Sequence, residues 1–194
     1  MDHNSSKIDQ HIAKRLKQLR SRAGLTLQEL ADQSGVSRSM ISLVERAETS
    51  PSAAVLDRLA SCLNTTLSAF FAEEKRAGSS PLSARASQAT WVDPGTGYIR
   101  RNISPPAFDS PIELVEVTIP PGTKVSFDQT TRRVLHQQVW LLKGAVKVRL
   151  GDVTHTLAAG DCLAMRLDQP IVFHNVGKTT SRHLVALTLG RADV

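Results

Sequence analysis

The stretch LTLQELADQSGVSRSMISLVER, residues 25–46, decides how the first third of this chain folds. Thr26 and Glu29 stand three apart ahead of an apolar run. At that spacing a threonine hydroxyl and a glutamate carboxylate cap each other's backbone N–H groups. A helix therefore begins at Thr26, with Leu27, Leu30 and Ala31 as its apolar face. Gly35 stops it early, and Ser37 caps a second helix from about Arg38 to Arg46, whose buried stripe is Ile41 and Val44. Two short helices joined at Gly35-Val36 can cross steeply. The second then stands clear of the domain and is free to enter a DNA major groove.

Working outward, Ile12, Leu16, Leu19 and Ala23 recur at spacings of four, three and four, one face of a helix over Asp9 to Ala23 that Gly24 ends. Pro51 and Ser52 open a fourth helix with Ala53, Leu56, Leu59, Ala60 and Leu63 facing inward, and a short fifth helix over about Leu67 to Glu74 closes the domain with Leu67, Phe70 and Phe71. From Ile12 to Phe71 the chain resembles the Cro/phage-repressor (XRE-family) type of five-helix DNA-binding domain. The resemblance implies that the recognition helix begins at Ser37, that Arg38, Ser39, Ser42 and Leu43 reach base edges, and that Arg46 meets phosphate. An arginine at position 38 suits guanine O6 and N7. The backbone N–H groups near Thr26 and Leu27 suit a further phosphate. Arg20 and Glu45 fall where the family pairs an arginine with a glutamate to fix the recognition helix. The implied partner is double-stranded DNA, a palindromic operator read by a homodimer.

Residues 73–90, EEKRAGSSPLSARASQAT, are polar and aperiodic, a linker composition. The expected division is a helix-turn-helix domain over 9–75, a linker over 76–90 and a second domain over 91–191. Beyond Trp91 helical periodicity gives way to short β-branched runs: Ile112–Ile119, Gln138–Leu142, Ala145–Leu150, Thr154–Leu157, Cys162–Arg166 and His183–Leu189. Turn signals at Pro120-Pro121-Gly122, Lys143-Gly144, Gly151-Asp152, Ala159-Gly160-Asp161 and Asn175-Val176-Gly177 separate them, so the second domain is an all-β sandwich or barrel. The phrases Val139–Gly144, Leu157–Asp161, Asp168–Pro170 and Phe173–Asn175 with Gly177 resemble the cupin barrel. Trp91–Arg101 looks like the start of that barrel in regulators that join it to a repressor-type domain.

Metal-binding cupins carry two histidines and a glutamate in a first motif and a third histidine in a second. Here those positions fall near Thr131 and Arg133, on Gln137 and on Ile171, and no histidine occurs between Gly122 and Leu135. A neutral amide and an isoleucine cannot replace a carboxylate and an imidazole as ligands. The expectation is a barrel with no metal, no cofactor and no catalytic residue, hence no enzyme. Alternation puts Gln137 and Val139 on one face and Ile171 with Phe173 on another, a mostly apolar pocket for a small-molecule effector. Arg133, if it points inward, suits an anionic one. His136, His155, His174 and His183 with Cys162 are the alternative metal donors, read as ordinary side chains.

Charge does not single out the helical half. Residues 1–76 hold 11 basic against 9 acidic side chains, and residues 77–194 hold 13 against 9. The net charge of +6 suits a polyanionic partner without locating it. Cys62 and Cys162 fit no paired-cysteine pattern and read as small buried thiols. No apolar run is long enough to cross a bilayer, and Met1–Gln10 is polar, so the expectation is a cytoplasmic protein without a membrane partner. The function these readings imply is a DNA-binding transcriptional regulator whose barrel senses a small molecule, dimerises, or both. Two alternatives stay open: a metal-dependent cupin enzyme fused to a DNA-binding domain, and a ligand-free dimerisation barrel.

Overall fold

A computed structural model describes residues 3–71, 79–106, 108–128 and 136–188. Its first part holds α1 (His3–Arg22), α2 (Leu27–Ser34), α3 (Arg38–Glu45) and α4 (Ala53–Cys62). Thr26 and Glu29 form the reciprocal cap that their spacing requires, and Gly35 ends α2 with a φ of +66°, where a side chain would strain the backbone. Ser37 and Ser52 cap α3 and α4 through their hydroxyls. Ile12, Leu16, Leu30, Ile41, Leu56, Leu59 and Phe70 are fully buried and form the helical core.

The expected fifth α-helix is absent among the described residues. Leu67–Phe70 makes a single 3-10 turn, and Ala72–Glu74 lie outside the described residues. The reason lies in the packing. Phe70 and Phe71 are both buried, and Phe71 meets Trp91 of the second domain at 5.6 Å between ring centres. The end of the first domain at residue 75 and the first residues of the linker also lie outside the described residues.

The second part contains ten strands: β1 (Thr90–Val92), β2 (Ile99–Asn102), β3 (Ile112–Ile119), β4 (Lys124–Phe127), β5 (His136–Lys143), β6 (Ala145–Leu150), β7 (Val153–Ala158), β8 (Cys162–Arg166), β9 (Ile171–Asn175) and β10 (Ser181–Thr188). They form a six-stranded sheet in the order β1-β2-β3-β10-β5-β8 and a four-stranded sheet in the order β4-β9-β6-β7, with every pair antiparallel. Val115, Val117 and Ile119 of β3 face inward, as do His183, Val185 and Leu187 of β10. Gly144 turns β5 into β6 with a φ of +87°, and a Cβ there would lie 3.0 Å from the Ser181 backbone, so only glycine fits. Buried Asn175 donates to the carbonyls of Ile119, Pro120 and Thr179 and accepts from Gly177, which ties two loops at one end of the barrel. β1, β2, β4 and β9 were not among the strands expected from sequence. Leu189 of the last expected strand lies outside the described residues.

The two parts share one hydrophobic core. Asp93 accepts a hydrogen bond from the Ala53 N–H at the start of α4, and Asp57 of α4 accepts one from the Asp128 N–H at 2.6 Å. The helical domain thus sits directly on the barrel, with α4 and the 3-10 turn as its footing.

A candidate DNA-binding face and a cavity beneath it

α3 turns Ile41 and Val44 into the core and presents Arg38 and Ser39 fully to solvent, with Ser42 and Leu43 half-buried beside them. Ser37 accepts from the Met40 N–H at 3.2 Å and lies 3.1 Å from the Ser39 hydroxyl, so its side chain is spent on the cap. Arg46 donates to Ser42 at 2.5 Å and to both carboxylate oxygens of Glu48 at 2.6 and 2.8 Å. That pair is about half exposed on both sides and is therefore cheap to exchange for a phosphate. At the start of α2 the Thr26 N–H is already taken by Glu29, whose carboxyl is held below its ordinary pKa by that bond. Leu27 follows as the first helical residue, half-buried.

Arg20 fixes the pose of α3. Its Nε and Nη2 donate to the two carboxylate oxygens of Glu45 at 2.7 and 2.8 Å, and its Nη1 to the Leu25 carbonyl at 2.9 Å. Both side chains are mostly buried. Arg20→Ala is expected to lower unfolding stability by about 2 kcal/mol, because it leaves the Glu45 carboxylate shielded from water without its partner. Urea denaturation measures this, and a loss near zero would mean the pair behaves as a surface contact.

Beneath the helical domain lies a cavity of about 70 Å³. Gln137, Ile171 and Phe173 line it, as does the aliphatic wall of Val117, Ile119 and Leu187. Val139 is buried on the same face of β5 but is not among the lining residues, and Arg133 lies outside the described residues. Besides Gln137, the polar residues at the cavity are Asp57, Ser61, Thr65, Thr66, Ser68, Tyr98, Arg100 and His183, none of which the sequence had put there. Strand register explains two of them. Arg100 pairs with Val117 and Val117 with His183, so the three sit in one row across β2, β3 and β10 and point to the same side.

Arg100 is buried, donates to Ser68 at 2.5 Å and to Glu113 at 3.2 Å, and its guanidinium lies 5.1 Å from the Phe71 ring centre. His183 stacks on Phe173 at 5.5 Å, with the rings 11° apart. Burial pulls the His183 pKa down to about 4, so the ring is neutral at physiological pH. Burial pushes the Asp57 carboxyl up to about 6, against the lowering effect of its hydrogen bond from Asp128. Burial likewise raises the Tyr98 phenol.

Of the positions that metal-binding cupins use, Thr131 and Arg133 lie outside the described residues, and Gln137 and Ile171 supply no ligand. Gln137 donates weakly to the Met165 sulfur, Ile171 is a buried wall residue, and among the described residues no three His, Cys, Asp or Glu side chains gather closely enough to hold an ion. Cys162 is exposed on β8 and Cys62 half-buried, so neither is the fully buried thiol expected from sequence. The strands explain Cys162: it pairs with Trp140, which faces solvent. Among the described residues no helix is long and apolar enough to cross a membrane.

Residues 16–70 match the family model HTH_3, helix-turn-helix. The HTH-type transcriptional regulator SutR of Escherichia coli (strain K12) is 42% identical over 62 residues, which cover 32% of this chain and 35% of that protein, so the chain spans about a third of this relative. The HTH-type transcriptional regulator PuuR of Escherichia coli (strain K12) is 25% identical over 179 residues, covering 90% of this chain and 93% of that protein. A crystal structure of an HTH_3 family transcriptional regulator from Vibrio cholerae superposes with a TM-score of 0.74 at 27% identity, covering 96% of this chain and 99% of that one.

Proposed function

We propose that this chain, whose residues 16–70 match a helix-turn-helix model and which superposes on an HTH_3 family regulator, is a cytoplasmic, effector-responsive homodimeric transcriptional regulator with a cupin-type barrel that reads a palindromic operator and performs no catalysis. The observation that carries this reading is a solvent-facing α3 in a helical domain whose α4 and 3-10 turn line, together with the barrel, an internal cavity within one continuous core. Arg38, Ser39, Ser42 and Leu43 read bases, with Arg38 the principal reader of guanine. Arg46 and the start of α2 hold phosphates, the latter through the Leu27 N–H and, once Glu29 releases it, the Thr26 N–H, and Ser37 acts through its cap. Gln137, Ile171 and Phe173 contact the effector. Val139 supports them from behind, and Arg133 belongs to the same proposed site as a receptor for an anionic group.

Dimerisation is assigned to the outer face of the six-stranded sheet. Leu184 pairs with Trp140, Trp140 with Cys162, and Ala186 with both Leu114 and Gln138. The solvent side of an antiparallel sheet is ordinarily polar. This one carries Trp140 at 48% exposure beside Leu184 and Cys162, a patch suited to a second copy.

Operator binding by fluorescence anisotropy across a salt series tests the DNA assignment. Affinity is expected to fall steeply and log-linearly with salt as phosphate contacts release counterions. Arg38→Ala is expected to weaken the preferred site by about 1–3 kcal/mol and to narrow the gap to variant sites. Unchanged site preference would move base reading away from Arg38, and a flat salt response would remove the DNA assignment altogether.

A further inference from the structure

The cavity is not enclosed by the barrel alone. Asp57, Ser61 and Ser68 of the helical domain form one side of it, and Tyr98, Arg100 and His183 of the barrel form part of the other. Five buried side-chain polar atoms among the described residues have no hydrogen-bond partner, and three of them belong to cavity-lining residues: Ser61 Oγ, Arg100 Nε and His183 Nδ1. An unmet buried polar group costs about 1–3 kcal/mol, so three on one cavity call for an occupant.

The three groups constrain its chemistry. Arg100 Nε–H can only donate, because a guanidinium has no acceptor, while its Nη2 is already engaged by Ser68 and Glu113. The serine hydroxyl can also donate, and so can one nitrogen of a neutral imidazole. A cavity with unmet groups able to donate and a mainly aliphatic and aromatic wall fits a short hydrocarbon bearing a group with several lone pairs and no proton.

We infer that the cavity takes a short-chain carboxylic acid, its carboxylate bridging Arg100 Nε of the barrel and Ser61 Oγ of the helical domain. This rests on the effector reading above and adds both the ligand class and the manner of control. The occupant bonds both domains at once, so its presence fixes the seating of α4 on the barrel. α1, α2, α3 and α4 share one packed core, so whatever fixes α4 also fixes the recognition helix. The Ser68–Arg100 bond spans the same joint without ligand. Asp57 lines the same cavity, and burial raises its carboxyl to about 6, so acidification through that range favours the entry of a second carboxyl group.

The test uses the full-length protein, freed of retained small molecules by dialysis under denaturant and refolding. Calorimetric titration with acetate, butyrate and hexanoate is compared with titration by butyramide and butylamine, alongside thermal melts. The expected result is 1:1 binding of a carboxylate, with a raised melting temperature and weaker or no binding of the amide and amine. Ser61→Ala, a small change in a helix that keeps its packing, is expected to weaken that binding about tenfold, the equivalent of one lost hydrogen bond to a charged group. Arg100→Lys, which keeps the charge beside Glu113 but removes Nε, is expected to do the same. Carboxylate binding that is indifferent to Ser61→Ala would place the ligand away from the joint. Binding of the amine or amide but not the acid would overturn the ligand class and leave the effector reading standing. Failure of all five probes, with native mass spectrometry of freshly purified protein finding only the bare chain, would overturn both.

Discussion

In sedimentation velocity, Trp140→Glu is expected to turn the proposed dimer into a monomer and to lower operator affinity by about a hundredfold or more. Aromatic residues near the centre of an interface typically contribute 2 kcal/mol or more to association. A carboxylate in the middle of an apolar patch would add a desolvation cost on both copies. Loss of the dimer then separates the two half-site contacts, and with them the effective concentration that makes paired binding tight, an effect on the order of 10² to 10⁴. Folding should survive, because Trp140 lies on the outer face and its side chain leaves the core untouched. An unchanged circular dichroism spectrum and melting temperature are the control. A Trp140→Glu protein that sediments as a dimer would remove this sheet face from the assembly.

The second large effect concerns pH. His183 is held neutral with a pKa near 4 against an ordinary 6.5, and Asp57 is pushed to about 6 against an ordinary 3.8. Their contributions to stability run in opposite directions. For His183 the unfolded chain takes up a proton that the folded one refuses, so stability falls as pH drops from 6.5 to about 4. For Asp57 the folded chain keeps a proton that the unfolded one releases, so stability falls as pH rises from 3.8 to about 6. Each shift corresponds to about 3 kcal/mol over its range. In the native protein the two slopes largely cancel across the shared window. Asp57→Asn removes one of them and is expected to expose acid lability of about 3 kcal/mol between pH 6.5 and 4. His183→Gln is expected to do the reverse and make the protein more stable on acidification over the same window. Urea midpoints across that range measure both. A level profile in Asp57→Asn would show that His183 exchanges its proton without feeling the fold.

How much of this was legible beforehand depended on whether a residue's partner lay nearby in sequence. The cap of α2 needs only Thr26 and Glu29, and its end needs only Gly35, so both could be read directly. Alternation in Ile112–Ile119 gave the whole of β3 because one face is buried and the other is not. β2 escaped notice because Ile99–Asn102 contains two adjacent arginines, a pattern that reads as a solvated loop. Arg100 is buried there only because Ser68, Phe71 and Glu113 come from three other segments to receive it. Asp57 is the same case on a helix. In an amphipathic pattern an aspartate marks the wet face, and only the docking of the barrel against α4 makes that face dry. Gln137 and Ile171 were reached from the cupin pattern and Phe173 from strand parity, and all three line the cavity, whereas its polar half belongs to long-range packing that neither supplies.

The chain contains two tryptophans, and the fold has placed them in opposite surroundings. Trp91 is 2% exposed and lies between Phe71 of the helical domain and Tyr98 of the barrel, while Trp140 is 48% exposed on the outer sheet. The protein therefore has two built-in optical reporters. Trp91 emits at the blue end, out of reach of iodide, and its intensity follows the contact between the two domains. Trp140 emits further to the red and is open to quenching until a second copy covers it. One unlabelled sample, excited once and read at two wavelengths, separates a change in domain seating from a change in assembly.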